Sequence, residues 1–120
     1  MNPGMKRKDM LSDEVIELVA ARFRCLGEPM RLKLLRALES GEKSVGQLVD
    51  SLGATQANVS RHLKVMVDAG LLARRPSGTS AYYSVSDPAV FRICEVVCDS
   101  LADSLAEQAA RMGLKVQRAR

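Results

Sequence analysis

Aromatic residues and histidine are scarce in this chain. Its 120 residues include no tryptophan, two phenylalanines, two tyrosines and one histidine. Stacking of unpaired bases on aromatic rings, which holds single-stranded nucleic acid in many proteins, is therefore not expected. An enzyme would need a nucleophile with its base or an open metal site, and the chain offers one histidine, no evident acid pair and no glycine-rich phosphate loop. These absences predict that the protein is not an enzyme.

Long apolar runs are absent as well. No segment approaches the roughly 20 apolar residues of a membrane-spanning helix. The polar start of the chain, with Lys6, Arg7 and Lys8, is unlike a secretory signal. Three cysteines in a chain without an export signal favour free thiols in a reducing compartment over a disulfide scaffold. We therefore expect a cytoplasmic protein with no membrane partner.

The chain does contain enough apolar sequence for one core, together with an excess of basic charge. Hydrophobic residues make up 47% of the sequence, and the formal net charge at pH 7 is +4. A length of 120 residues suits a single domain. The positive balance favours a polyanionic partner, although by itself it is weak support.

The most informative local pattern lies in residues 44–76. Ser44 and Gln47 have the spacing of a capping box, which predicts that a helix begins at Ser44. Gly53 then allows the backbone to reverse, and Thr55 is a suitable N-cap for a second helix. Two short helices joined by a tight turn are typical of a DNA-binding helix-turn-helix.

The second of these helices has two different faces. Its apolar stripe, which begins at Val59 and ends at Val67, predicts packing against a core. The polar and basic side chains on or beside the other face suit the base edges and phosphates of double-stranded DNA. We predict DNA contacts from Thr55, Gln56, Asn58, Ser60, Arg61, His62 and Lys64. Such a helix standing alone is equally typical of a solvated surface, and its neighbours favour the DNA interpretation.

A hairpin pattern follows this helix. Two short apolar segments flank a Pro-Ser-Gly-Thr sequence at residues 76–79, with the predicted turn at Ser77-Gly78. A hairpin in this place is the wing of a winged helix-turn-helix. Arg74 and Arg75 are predicted to contact phosphates and to add salt-sensitive affinity; the alternative is that they are solvated strand ends. A winged helix that binds only protein would not need these basic side chains.

Three more helices complete the predicted fold. Capping residues and apolar spacing place one of them at residues 12–26. A second begins at Pro29 and ends before Gly41, with a core stripe of Met30, Leu34, Leu35 and Leu38. Asp87 and Pro88 begin a long last helix, which ends near residue 112. The predicted fold class is therefore mainly α with a small β-hairpin, a winged helix-turn-helix.

The predicted domain organisation is simple. Residues 12–112 form the winged helix-turn-helix domain. Residues 1–11 are predicted to be a flexible N-terminal segment, and residues 113–120 a basic tail that frays.

The last helix carries an apolar stripe that so small a domain has little core left to cover. The stripe consists of Val90, Cys94, Val97, Cys98, Leu101 and Leu105. We predict a homodimer that buries it, with the helices at residues 12–26 and 88–112 in the interface. Two-fold symmetry would bring two recognition helices to successive major grooves, roughly 34 Å apart, and predicts an inverted-repeat operator.

Three strings of the sequence are informative together: FRCLGEPMRL at residues 23–32, NVSRHL at residues 58–63 and YYSV at residues 82–85. They resemble the ArsR/SmtB family of bacterial winged-helix repressors, and the resemblance covers residues 19–101. It implies a homodimer that binds operator DNA without a cofactor. The resemblance also implies release from DNA when an inducer, commonly a metal or metalloid ion or a thiol oxidant, alters the dimer.

The inducer sites best known in that family are not matched here. Its arsenite and cadmium sensors carry a cysteine pair in the first helix of the helix-turn-helix. The corresponding residues of this chain, 45–52, contain no cysteine. Its zinc and nickel sensors use Asp and His ligands along the last helix, whereas the one histidine, His62, belongs to the recognition helix. We therefore favour His62 as a DNA contact, or as a residue packed beside the phosphates, over a metal ligand.

The three cysteines are the remaining candidates for sensing. Cys94 and Cys98 are four residues apart, so on a helix their Cβ atoms lie about 5 to 6 Å apart on one face. Two thiolates there suit soft ions such as cadmium, lead or copper(I). Cys25, from either subunit, would complete the three sulfur ligands that As(III) or Sb(III) requires. We predict Cys25, Cys94 and Cys98 as the inducer site.

Two other interpretations of these cysteines stay open. Free cysteine often behaves as a small buried hydrophobe, in which case the protein would be a winged-helix regulator without cysteine sensing. A thiol redox or persulfide response is the second alternative. It is less favoured for two reasons. Persulfide-responsive members of the family have a cysteine in the second helix, and the corresponding position in this chain, near Arg36, is not a cysteine. A disulfide between Cys94 and Cys98 would also strain the helix.

Overall fold

This computed structural model of the protein describes residues 12–113. Five helices and three strands follow one another within them: α1 (Asp13–Leu26), α2 (Pro29–Leu38), β1 (Lys43–Ser44), α3 (Val45–Leu52), α4 (Gln56–Asp68), β2 (Leu72–Ser77), β3 (Ser80–Val85) and α5 (Ala89–Arg111). The predicted mainly helical fold with a small hairpin is confirmed. Two compact units divide between Ser86 and Asp87, so the predicted domain spans both. The predicted segment 1–11 and residues 114–120 of the predicted tail lie outside the described residues.

The helix starts predicted around the turn are confirmed. The Ser44 hydroxyl accepts from the backbone N–H of Gln47 at 3.2 Å, and the Gln47 side chain accepts from the Ser44 N–H at 2.9 Å. These two bonds form the predicted capping box at the start of α3. Gly53 ends α3 with a left-handed φ of +63°, a conformation that costs glycine little. The Thr55 hydroxyl caps α4 by accepting from the Asn58 N–H at 3.2 Å.

The predicted hairpin is present, but the sheet is larger than predicted. Strand β3 lies between β2 and the two-residue strand β1, and all pairs are antiparallel. Strand β1 was missed because two residues carry no strand pattern, and their extended conformation depends on pairing with Tyr82 and Tyr83. Strand β2 also runs further than predicted, to Ser77, which pairs with Ser80 and leaves the turn at residues 78–79.

The core of the first unit is built mainly from leucine. Helix α4 packs on α2, α3 and β2. The predicted apolar stripes of α2 and α4 are buried, except that Met30 and Val67 are only half-buried. The most completely buried side chains of this unit are Leu34, Leu35, Leu48, Val59, Leu63, Met66 and Leu71. Burial of these side chains holds α4 with one face inward and the other in solvent.

The second unit consists of helix α5 and its approach. The Asp87 carboxylate accepts from the backbone N–H of Ala89 at 3.1 Å, so the predicted start at Asp87-Pro88 is confirmed to within a residue. Val90 and Ala109 are buried. Large apolar side chains on this helix are nevertheless exposed, namely Val96, Val97, Leu101 and Leu105. No helix in residues 12–113 combines the length and the apolar character needed to cross a membrane.

The leucine core generates a stability prediction. Leu34 is fully buried, whereas Leu32 in the same helix is 41% exposed. Leu34→Ala is expected to lower the free energy of unfolding by about 2 to 5 kcal/mol, because the transfer free energy is lost and a cavity remains. Leu32→Ala is the matched control and should change it by about 0.5 kcal/mol or less. Urea denaturation followed by circular dichroism measures both, and equal losses would contradict this description of the core.

Candidate DNA-binding surface and thiol pair

The outer face of α4 carries most of the predicted DNA contacts. Gln56, Arg61 and Lys64 are exposed, and Asn58 and Ser60 are half-buried. The Arg61 guanidinium donates to the Asn58 amide oxygen at 2.6 Å, which holds both side chains on the same surface. Guanidinium and amide groups are the side chains that read guanine and adenine edges in a major groove.

Two members of the predicted set have contacts of their own on this helix. The Lys64 ammonium pairs with the Asp68 carboxylate at 3.0 Å, and both side chains are largely exposed. Such an i,i+4 pair is weak, so the ammonium remains available to a phosphate. The Thr55 hydroxyl serves as the N-cap of α4, which gives this residue a structural role at the end of the helix nearest the turn.

His62 differs from the rest of the predicted set. Its side chain is buried, with 7% of the residue exposed, on the inner side of α4. The prediction that it lies on or beside the open face is wrong. Sequence polarity was misleading because the buried ring has polar partners elsewhere in the fold.

The partners of His62 come from the start of α2, and sequence analysis missed them. The Arg31 Nε donates to His62 Nδ1 at 3.2 Å, and a second guanidinium nitrogen donates to the backbone carbonyl of Cys25 at 3.2 Å. The Glu28 carboxylate lies 3.8 Å from His62 Nδ1 and also accepts from the backbone N–H of Arg31. Arg31 and His62 are 31 positions apart in sequence, so no local pattern predicts their contact.

The two arginines of the wing are in different environments. Arg74 is exposed, and its position in the hairpin is opposite Tyr83. Arg75 donates twice to the Glu42 carboxylate, at 2.7 and 3.2 Å, and its guanidinium lies 4.9 Å from the centre of the Tyr82 ring. These contacts hold the side chain of Arg75 against Glu42 and the Tyr82 ring. Sequence analysis missed Glu42, which is 33 positions from its partner.

The Glu42–Arg75 pair also changes the acidity of both groups. Hydrogen bonding from Arg75 lowers the pKa of the Glu42 carboxyl, and the same carboxylate raises the pKa of Arg75. Both side chains therefore stay charged near neutral pH. The pair reduces the positive charge that this part of the wing presents to a polyanion.

The cysteines are distributed over both units. Cys94 is half-buried and Cys98 is exposed, four residues apart on α5, whereas Cys25 is buried at the end of α1 in the first unit. Burial, and to a smaller extent the neighbouring Cys98, raises the pKa of the Cys94 thiol. Within residues 12–113 no three His, Cys, Asp or Glu side chains are grouped so as to hold a metal ion. The thiol pair, Cys94 and Cys98, thus offers two soft ligands on one helix.

Comparisons with known proteins identify the arrangement. A family model described as a bacterial regulatory protein of the arsR family matches residues 28–74. The probable mercury resistance operon repressor of Streptomyces lividans is 40% identical over 74 residues, which are 62% of this chain and 59% of that protein. The arsenical resistance operon repressor of Bacillus subtilis is 30% identical over 83 residues, which are 68% of this chain and 79% of that protein. The chain thus spans less than two thirds of the first relative and more than two thirds of the second.

A solved structure supports the same assignment. It is the homodimeric winged helix-turn-helix DNA-binding domain of a possible ArsR-family transcriptional regulator from Mycobacterium bovis, solved by solution NMR. That domain is 26% identical to this chain, has a TM-score of 0.68, and is matched over 89% of this chain and 95% of its own. These findings confirm the predicted winged helix-turn-helix fold. They also confirm the prediction that the protein is a regulator of transcription and not an enzyme. The chain belongs to the arsR family of bacterial regulatory proteins.

Proposed function

We propose that this protein is a transcriptional repressor that binds double-stranded operator DNA through α4 and the wing. The observation that carries the proposal is the outer face of α4, where Arg61 and Asn58 are joined by a hydrogen bond on a helix whose other face is buried. The names of the mercury and arsenical resistance repressors support repression as the mode of regulation. No cofactor is required for this binding. Such a regulator acts where the DNA is, so the cytoplasm is the proposed compartment.

The side chains of this surface have distinct roles in the proposal. Arg61, Asn58 and Gln56 are suited to base edges, while Ser60 and Lys64 are suited to phosphates. Arg74 and Arg75 would contact the backbone beside the recognition helix and would contribute to the salt dependence of binding. His62 is not included among these contacts, because its ring is buried.

The proposal includes a homodimer. Val97, Leu101 and Leu105 follow one another at intervals of four residues along α5, and each is about half exposed. A row of exposed apolar side chains on a helix is typical of a surface that a partner covers. The Mycobacterium bovis domain is homodimeric, which supports a second copy of this chain as that partner. Two-fold symmetry then requires an inverted-repeat operator.

We further propose that the thiol pair on α5 binds the inducer, a soft metal or metalloid ion. The two relatives named above are described as a probable mercury resistance operon repressor and an arsenical resistance operon repressor. Cys94 and Cys98 lie four residues apart on the same helix, and thiolates prefer soft ions. The raised pKa of Cys94 means that ion binding would displace a proton from its thiol. Cys25 as a third ligand for As(III) or Sb(III) stays a prediction.

The first prediction from the proposed function concerns the recognition helix. Arg61→Ala is expected to weaken binding to a duplex from the upstream region of the protein's own gene by tenfold or more, since a good bidentate base contact contributes about 1 to 3 kcal/mol. Arg36→Ala removes the same charge from an exposed position on α2 and serves as the matched control. Fluorescence anisotropy measures both, with circular dichroism as the check on folding. Equal effects of the two variants would contradict the assignment of this helix face.

The second prediction concerns the dimer. Leu101 is 57% exposed, and Leu101→Glu is expected to raise the dimer dissociation constant at least about a hundredfold, because a carboxylate would be buried in an apolar contact. Ala110→Glu is the control, since Ala110 is exposed and lies two and a half turns further along, on the opposite side of α5. Sedimentation velocity over a concentration series gives both constants. A Leu101→Glu protein that dimerises like the parent would exclude this interface.

The third prediction concerns induction. At least one of Hg(II), arsenite, antimonite, Cd(II), Pb(II) and Cu(I) is expected to release the operator-bound protein, with at least a tenfold loss of affinity. The Cys94→Ser, Cys98→Ser double variant should bind operator normally and lose the response. Ser100→Ala, an exposed change in the same helix, should keep it.

Two further measurements address the alternatives. Cys25→Ala tests whether Cys25 is the third ligand, and titration with an organic persulfide tests the redox alternative. Release of the double variant by the same ion would refute the thiol site.

A further inference from the structure

We propose that Arg31 and His62 are positioning residues that fix the rotation of the recognition helix, and therefore the specificity of DNA reading. The proposal rests on the proposed function of α4 as the DNA-reading helix. Neither side chain is placed to touch DNA in this proposal: the His62 ring is buried on the inner side of α4, and Arg31 belongs to α2. Their effect on DNA binding would be transmitted through the orientation of Arg61 and its neighbours.

The geometry around Arg31 joins three helices of the first unit. One nitrogen of its guanidinium donates to His62 in the middle of α4, and another donates to the carbonyl of Cys25 near the end of α1, each at 3.2 Å. Arg31 itself lies in the first turn of α2, where Glu28 caps the helix and accepts from its backbone N–H. A single planar group thus fixes one point of α4 against the ends of two other helices.

The chemistry of the contact is directional, unlike that of the leucine core around it. In this contact the Arg31 Nε–H is the donor and His62 Nδ1 is the acceptor. The guanidinium offers several N–H groups in a rigid fork, which allows Arg31 to serve His62 and Cys25 together. A lysine at position 31 has a flexible stem and a single ammonium, and would not reproduce that pair of bonds.

The consequence for DNA reading follows from the position of His62 in α4. Arg61, the exposed residue that holds Asn58, is its immediate neighbour in the chain. A rotation of about 10° moves a side chain roughly 6 Å from the helix axis by about 1 Å. Hydrogen bonds to base edges tolerate only a few tenths of an ångström in length. Contacts to phosphates that depend on charge alone are more tolerant, so loss of the Arg31–His62 bond should affect specific binding most.

Apolar burial alone would predict a different behaviour. If His62 served only to fill space, leucine at this position would pack equally well and operator binding would follow stability. If the directional bond matters, an acceptor in the position of Nδ1 should restore function. His62→Asn supplies such an acceptor, because the Asn Oδ1 lies at the same distance along the side chain as the His Nδ1. His62→Gln is its counterpart, since its amide extends toward the position of Nε2.

The test uses the full chain and a DNA duplex selected for binding to the wild-type protein. Wild-type protein selects an operator duplex from a random pool, and affinities for that duplex and for an unrelated duplex of equal length are measured by fluorescence anisotropy. His62→Leu and Arg31→Lys are expected to bind the selected duplex about tenfold more weakly, a factor equal to about 1.4 kcal/mol, and the unrelated duplex within twofold of wild type. His62→Asn should recover most of the specific affinity, and His62→Gln should not.

Further measurements separate the proposal from a purely structural role. Thermal unfolding establishes whether each variant is folded at the assay temperature. If His62→Leu is not folded there, the comparison of His62→Asn with His62→Gln still decides the question. The double variant Arg31→Lys, His62→Leu should be no weaker than the worse single variant, because both changes remove one shared bond. Additive losses, equal losses on both duplexes, or equal behaviour of Asn and Gln would overturn the proposal. Failure of the wild-type protein to select any duplex would instead refute DNA reading itself.

Discussion

Helix α4 has to bury one side in the leucine core while its other side stays in water, and the geometry of the first unit depends on this division. Val59, Leu63 and Met66 are inaccessible to solvent because α2, α3 and β2 pack around them. Burial of this kind contributes roughly 25 cal/mol for each square ångström of apolar surface. It determines which side of the helix faces inward, but apolar contacts are not directional. The capping residues at the start of α4 and the polar contact in its middle supply the direction.

The features of the fold that could be predicted from the sequence are those set by residues close together in the chain. The capping box at Ser44, the glycine at the end of α3 and the apolar spacing of α2 and α4 each depend on residues a few positions apart, and each was confirmed. Strand β1 and the burial of His62 depend on partners far along the chain. No periodicity encodes such contacts, because a polar residue at the border of an apolar stripe fits either face. The same reason explains why Glu42 was missed, although Arg75 had been identified as a basic residue of the wing.

The two units divide the chemistry of the protein between them. The first unit holds the polar and basic surface of α4 and the wing, and its only cysteine among the described residues is buried Cys25. The second carries the exposed apolar row and the thiol pair on one helix. In the proposed repressor, ion binding would therefore act on the dimer and leave the reading surface chemically unchanged. A coupling of about 1 to 3 kcal/mol between two such sites is typical of allosteric proteins and changes affinity by about 5- to 150-fold.

The proline in strand β2 affects how readily the edge of the sheet can pair with another strand. Strand β3 is in the centre of the sheet, so β2 and β1 are its edges, and Pro76 lies within β2. An edge strand offers unpaired N–H and C=O groups to any passing strand, and this is a common route to aggregation. Proline has no N–H to offer, the exposed Arg74 would repel the same residue of a second wing, and the opposite edge is only two residues long. Growth of the sheet by strand addition is thereby disfavoured, so the wing can stay exposed to solvent without pairing with the wings of other molecules.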